Sequence, residues 1–223
     1  MAAAPASGRG ADTPLCRGCE TGRHYFAAAS SVALYEGAAR TMVGDLKYRA
    51  RLELARPMAW LMAEECAKRG LAMKCDVAVP VPMHPAKQAR RGYNQAALLS
   101  DALGRILWMK SLPEALSKSE EQESQTMHDR AGRRTNAMRV YGCASPASVA
   151  RRCVLLVDDV LTSGATADGC ARALLRAGAS EVYVVTFAIS VADARDWMEP
   201  KARGAGDMRD ARRARSSGVI LEK

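Results

Sequence analysis

Val154 to Thr166 reads VLLVDDVLTSGAT: four apolar residues, an acidic pair, two more apolar residues, then a turn rich in hydroxyls and glycine. Arg151 and Arg152 precede the apolar run. Its continuous rather than alternating character is that of a central parallel strand covered on both faces. After the turn, Ala167, Cys170, Ala171, Leu174 and Leu175 recur at helical spacing, and Gly178 stands where a C-terminal cap belongs. The stretch therefore predicts strand, loop and helix in that order. Backbone N–H groups of the turn Thr162, Ser163, Gly164, Ala165, Thr166, with the helix N-terminus behind it, form a seat for a phosphate dianion. Its three hydroxyls add donors. Asp158 and Asp159, one loop-width away, can accept hydrogen bonds from two adjacent ribose hydroxyls, or hold Mg²⁺ directly or through water. A ribose carrying a 5-phosphate satisfies both halves.

Each half alone is also ordinary chemistry, an Asp-Asp pair ending a strand as a solvated turn and Thr-Ser-Gly as a loop. A phospho-receiver domain likewise gathers acidic residues at strand ends around Mg²⁺, but it has no use for the Thr-Ser-Gly-Ala-Thr turn. As a whole, the string resembles the phosphoribosyl-diphosphate (PRPP) motif of type I phosphoribosyltransferases. Residues 79–95 (VPVPMHPAKQARRGYNQ), with Gln125, Arg133 and Asn136 in the later QTMHDRAGRRTNAMRVY, are similar to the ComF family of bacterial phosphoribosyltransferase-like proteins, many associated with DNA uptake. Tyr35 to Tyr48 (YEGAARTMVGDLKY) resembles the segment that precedes the core in that family. The likeness runs from residue 16 to residue 189.

The resemblance implies displacement at C1 of PRPP by a nitrogen nucleophile, with release of pyrophosphate. Positive charge building on the ribose ring would be met by nearby carboxylates, and Mg²⁺ would stabilise the leaving group. Asp158 and Asp159 would then serve ribose and Mg²⁺, Thr162 to Thr166 the 5-phosphate, and Arg90, Arg91 and Arg133 the pyrophosphate. The loop at 83–92 would face the pyrophosphate, and Lys118 to Arg139 would form a lid. Within that lid, His128 stands where the family usually carries an aliphatic residue. Gln95, Gln125 and Asn136 are binding residues or loop caps, and Tyr93 stacks on a base or packs on a helix. The acceptor is not legible: the N-terminal region holds no pattern that converts into a purine or pyrimidine pocket. The other reading is a non-enzymatic PRPP-binding or DNA-uptake accessory protein.

The rest of the chain alternates. Ala55, Met58, Ala59, Met62 and Cys66 mark a helix, with Pro57 tolerable near its first turn and an end near Gly70. Asp76 to Val81 reads as a buried strand stopped by Pro80, Pro82 and Pro85. Leu98, Leu99, Ala102, Leu103 and Ile106 give the next helix its apolar face, and strands near Ala137–Tyr141 and Glu181–Ala188 complete the set. Such alternation predicts an α/β fold with a doubly wound parallel sheet, of the type I phosphoribosyltransferase kind by resemblance, whose ligands bind beyond the carboxyl ends of the strands. Lys118 to Thr135 is polar and aperiodic, as a long loop is. The expected division is a leader with a partial C-x-x-C segment at 1–34 (a hood or remnant zinc ribbon), a phosphoribosyltransferase-like domain at 35–189, and a flexible basic extension at 190–223.

A chain of 223 residues, 48% of them hydrophobic, can bury a substantial core. No apolar run nears the roughly 20 residues that span a bilayer. The N-terminus, MAAAPASGRGADTPL, lacks the apolar region of a secretory signal, so a cytoplasmic location is expected. A net charge of +9 implies anionic partners. Its clusters are Lys87, Arg90 and Arg91, then Arg130, Arg133 and Arg134, then Arg209, Arg212, Arg213 and Arg215; the first two suit a pyrophosphate, and the last a solvated tail or nucleic acid. A homodimer is compatible with all of this. Seven cysteines, an odd number, argue against a disulfide framework. Cys16 and Cys19 form a C-x-x-C pair, half of a tetrahedral Zn²⁺ site, with His24 the nearest further donor and Cys66 or Cys75 available only if the fold brings it near. Cys66, Cys153 and Cys170 read as small core residues.

Overall fold

Along the residues that the computed structural model describes, 24–119 and 140–190, strands and helices alternate. They are β1 (Ala28–Leu34), α1 (Gly37–Tyr48), a 3₁₀ turn (Leu52–Leu54), α2 (Ala55–Lys68), α3 (Leu71–Lys74), β2 (Val77–Pro80), α4 (Pro85–Arg91) and α5 (Gln95–Leu107). Then come β3 (Lys110–Ser111), β4 (Leu116–Lys118), β5 (Tyr141–Cys143), α6 (Pro146–Val149), β6 (Cys153–Leu161), α7 (Ala165–Arg176) and β7 (Glu181–Ile189). Five of the strands form one sheet in the order β1-β7-β6-β2-β3, every neighbouring pair parallel. The apolar run of the motif occupies its middle, Val154–Val157 lying between Val77–Pro80 on one side and Val182–Val185 on the other.

Alternation along β6 divides the interior. Leu155 and Val157 pack with Val43 and Leu46 of α1, Met58 and Met62 of α2, and Leu99 and Leu103 of α5. Val154 and Leu156 pack on the opposite face with Ala167, Cys170, Ala171 and Leu174 of α7, and with Phe26 and Val149. Each fully buried aliphatic side chain of this kind contributes about 1.5–3 kcal/mol. Both faces of the strand are therefore covered, which is why its sequence runs apolar without a break. The doubly wound parallel sheet expected from the sequence is the architecture observed. Cys66, Cys153 and Cys170 are buried among these apolar groups, as expected.

Several boundaries differ. β1 is an edge strand of the main sheet, in register with β7 from Ala28↔Tyr183 to Leu34↔Ile189. The folded unit therefore begins upstream of the boundary expected between residues 34 and 35. His24 to Ala27 also belong to it: Phe26 is in the core, Tyr25 N–H donates to Asp168 Oδ1 at 2.6 Å, and Ala27 N–H to the Val182 carbonyl at 2.8 Å. β1 escaped notice because AASSVAL has no clean period and every residue of it is half-buried.

The strand expected near Ala137–Tyr141 is described only from Tyr141, as β5. It pairs antiparallel with β4 in a separate ribbon, Lys118↔Tyr141, rather than joining the central sheet. That ribbon ties together the two ends of the expected lid, whose residues 120–139 lie outside the described ones, as do Gln125, His128, Arg133 and Asn136. Pro80 was expected to stop β2 and is instead its last residue. Val81 N–H bonds toward β6 (Val157 carbonyl, 2.9 Å), so the missing N–H of Pro80 faces the β3 side, where Leu112 still donates to the Ala78 carbonyl (2.8 Å) but its own carbonyl is taken by Ala115 N–H (3.2 Å). The sheet loses no bond there.

Candidate functional site

The carboxyl ends of β2 and β6 open into a cleft of about 380 Å³. Asp158, Asp159, Thr162 and Thr166 line it, together with Tyr35, Lys47, Val81 to His84, Lys87, Asn94, Gln95, Lys118, Tyr141 and Val160. The acidic pair and the hydroxyl turn expected to act together do share one cavity.

The pair does not sit in a loop. β6 continues through it to Leu161, and Asp158 is in register with Thr186 of β7. Strict alternation lapses here, since Val160 packs on the same side as Leu155 and Val157, and Leu161 on the other, and the two carboxyl groups remain within hydrogen-bonding reach of each other. Asp159 turns toward α1, where its Oδ2 is 2.7 Å from Lys47 Nζ; its side chain is only 4% exposed. That oxygen has no hydrogen-bond partner among the described residues apart from this charge contact. Asp158 faces the α7 and ribbon side. Burial, and then the neighbouring Asp159 charge, hold its carboxyl well above the ordinary carboxylate range, although Lys47 and the Asp159 N–H (2.8 Å to Oδ1) pull the other way. Part of the residue is nonetheless open to the cleft.

Below the pair, Gly164 takes φ +76° at the start of α7, a left-handed conformation that L side chains adopt only at a cost. A Cβ there would lie 3.6 Å from the His24 ring and 3.8 Å from Phe26, so the N-terminal segment backs the turn. Thr162, Ser163 and Thr166 are exposed, Ala165 is half-buried, and Asp168, in the first helical turn, is spent on Tyr25 N–H.

Beside the turn, the β4–β5 ribbon supplies Lys118 and Tyr141, the ammonium 5.4 Å from the ring centroid. Tyr141 is pushed up to about 12, first by burial, while the Thr166 side chain hydrogen-bonds it and draws it down. The remaining wall is the α4 region. His84 caps α4, its Nδ1 accepting from Ala86 N–H at 3.2 Å; Asn94 caps α5 while its Nδ2 donates to the Val81 carbonyl at 3.0 Å.

Of the expected pyrophosphate cations, Arg91 is turned to Gln95 Oε1 (2.5 Å) and lies over the Tyr48 ring, away from the lining. Arg90 is exposed on α4, Lys87 faces the cleft, and Arg133 lies outside the described residues. Gln95 is buried and lines the cleft while holding Arg91. Tyr93 donates its hydroxyl hydrogen to the Leu46 carbonyl, so its ring serves a helix contact. Cys16 and Cys19 also lie outside the described residues. Within these, no three His, Cys, Asp or Glu side chains gather as a metal site.

Lys47, Lys118, Tyr35 and Tyr141 had not been singled out from the sequence. Only Lys47 carried a signal: it follows Ala39, Val43 and Leu46 on the buried stripe of α1, where a lysine needs a partner.

No family model matches the chain. It is 31% identical over 157 residues to DNA utilization protein YhgH of Escherichia coli (strain K12), covering 69% of this chain and 68% of that protein. It is 33% identical over 147 residues to competence protein F of Haemophilus influenzae, covering 64% of each. The chain belongs to the ComF family. It spans about two thirds of the length of these ComF relatives. Among solved structures, it is similar to the glutamine phosphoribosylpyrophosphate amidotransferase from B. subtilis, at TM-score 0.41 and 18% identity, over 59% of this chain and 25% of that one. TT1426 from Thermus thermophilus matches at TM-score 0.36 and 16% identity, over 61% of this chain and 81% of that one.

Proposed function

We propose that this cleft binds PRPP and transfers its phosphoribosyl group to a nitrogen acceptor, releasing pyrophosphate. The observation that carries the reading is the shared cavity: a hydroxyl turn leading into a helix N-terminus and a pair of strand-borne carboxylates line the same 380 Å³. The turn offers N–H and O–H donors to the 5-phosphate. Asp158 and Asp159 accept hydrogen bonds from the ribose hydroxyls and leave negative charge beneath a ring that becomes cationic as the C1–O bond breaks. Lys118 of the ribbon and Lys87 of α4 both line the cleft and offer cations to the departing diphosphate. Mg²⁺, when present, neutralises that leaving group. With Asp159 engaged by Lys47, the acidic pair is a poor seat for the ion by itself, and we take the ion to enter on the diphosphate. Tyr35, Tyr141 and Val160 leave the acceptor an aromatic and aliphatic wall.

The names of the relatives, competence protein F and DNA utilization protein, favour a second reading: PRPP binding without turnover, in a DNA-uptake accessory protein. Exposed Arg90 and half-buried Arg91 on α4, together with the tail arginines, would then meet nucleic acid. Such binding should weaken steeply with added salt.

Calorimetric titration with PRPP, with and without Mg²⁺, followed by pyrophosphate release over a panel of nucleobases and amines, separates these readings. Binding with release supports the transferase; binding alone supports the accessory role. Asp159→Asn should weaken PRPP about tenfold or more, the usual worth of a charge-assisted hydrogen bond. An unchanged affinity removes the site assignment.

A further inference from the structure

We propose that Lys47 is the built-in counter-cation of the acidic pair: it holds Asp159 ready for the ribose and keeps free divalent cations off the pair before the ligand arrives. The inference rests on the phosphoribosyl reading of the cleft and deepens it by setting how the metal enters.

Lys47 is delivered to Asp159 by a helix that cannot easily slide. Val43 and Leu46, on the same stripe of α1, have no exposed surface, and the Leu46 carbonyl accepts the hydroxyl of Tyr93 from the loop before α5. The ammonium thereby stands 2.7 Å from Asp159 Oδ2, and that buried oxygen has no other donor among the described residues. The ammonium does for this carboxylate what a bound cation would do.

A divalent ion cannot share the place. Mg²⁺ requires oxygen ligands at about 2.0–2.1 Å in near-octahedral array and gives up its water reluctantly. Seating it on Asp159 would set it against an ammonium already in contact with the same oxygen, and like charges so juxtaposed repel. Asp158 is then the single carboxylate left, with no third His, Cys, Asp or Glu gathered beside the pair among the described residues. One carboxylate competes poorly with water for Mg²⁺. Lysine also suits the task better than arginine would: a compact ammonium with rotatable donors neutralises one oxygen without capping both. Lys47 keeps 19% of its side chain exposed and lines the cleft, so it also meets whatever binds there. The metal therefore enters as a complex with the diphosphate.

The test is Mn²⁺ titration of the full chain without PRPP, read from loss of the free-ion EPR signal. The native protein should leave Mn²⁺ free, whereas Lys47→Met and Lys47→Gln should gain a site at least about tenfold tighter. Adding Asp159→Asn to Lys47→Met should abolish the gained site. A native site as tight as that of the lysine variants overturns the proposal, as does a folded Lys47→Met chain that gains nothing. Should both lysine variants fail to fold, tight Mn²⁺ binding by the native chain that Asp159→Asn removes still overturns it, and its absence upholds it. PRPP calorimetry on the native chain with Mg²⁺ runs alongside. If PRPP fails to bind, the phosphoribosyl reading falls, while the Mn²⁺ comparison still decides whether Lys47 excludes the ion.

Discussion

Replacing Asp158 by Asn should stabilise the protein while weakening its ligand. Burial, first, and the Asp159 charge, second, raise the Asp158 carboxyl well above its ordinary value of 3.8. A group raised in the folded state contributes stability that is fully present below the unfolded value and lost as pH climbs through the folded one. Above the unfolded value the native protein therefore bears the cost of a carboxyl whose surroundings disfavour its charged form. Asn keeps the neutral form at every pH and keeps an Oδ1 acceptor for the Asp159 N–H, now bonded at 2.8 Å. One unit of such a shift is worth about 1.4 kcal/mol. Water in the open cleft screens part of the charge, which puts the gain at about 1 kcal/mol. For a chain of this size that is about 2–4 °C in Tm. Thermal unfolding followed by circular dichroism across about pH 4 to 8 should show the variant ahead by a margin that grows with pH. A variant less stable than native at pH 8, or ahead by the same margin at both ends, would refute the reasoning.

Three further perturbations probe other parts of the fold. Trp108 caps α5 at φ +56° with 96% of its surface exposed, so Trp108→Gly should gain about 1 kcal/mol in chemical denaturation; a loss would mean that the ring has a contact. A Cβ at Gly104 would stand 2.6 Å from the Met109 carbonyl oxygen, so Gly104→Ala should lower the denaturant midpoint by an amount equivalent to about 1–3 kcal/mol, and an unchanged midpoint would deny that contact. In a spectrophotometric titration, Tyr141 should ionise near 12 instead of 10, and Tyr141→Phe should delete that late step. The neutral phenol's contribution to stability is complete below 10 and is lost as pH rises through about 12.

What the sequence disclosed follows from how local each signal is. A strand covered on both faces must be apolar throughout, so β6 announced itself, and so did α7 through its buried Ala167, Cys170, Ala171 and Leu174. The turn from Thr162 to Thr166 was legible because its chemistry lies in adjacent residues. Non-local partners were not legible. Lys47 meets Asp159 across a separation of 112 residues, and β1 joins β7 from the far end of the chain. Nothing in either short stretch states its partner, and a half-buried edge strand such as AASSVAL gives no period to detect. The extent of β6 was misjudged for a related reason. An Asp-Asp pair disfavours strand, but eight registered pairs with β7, from Cys153↔Glu181 to Leu161↔Ile189, override that local preference.

That extension of the strand decides the character of the acidic pair. Had the chain left the sheet at Val157, both carboxylates would have hung in one solvated loop with similar surroundings. Held in β6, they meet different neighbours while their side chains stay within hydrogen-bonding reach of each other. Asp159 goes to the α1 side and is charge-paired with Lys47; Asp158 goes to the side of Tyr141 and Cys170, both of which feel its charge, and is driven toward its neutral form. Two chemically identical residues thereby become one carboxylate in contact with an ammonium and one carboxyl that holds its proton more tightly. The division follows from the neighbours each carboxyl meets, Tyr141 and Cys170 for Asp158 and the Lys47 ammonium for Asp159. Removing the lysine should therefore open Asp159 to cations while Asp158 keeps its raised carboxyl, whereas altering the turn at Thr162–Thr166 should leave the Lys47–Asp159 contact intact.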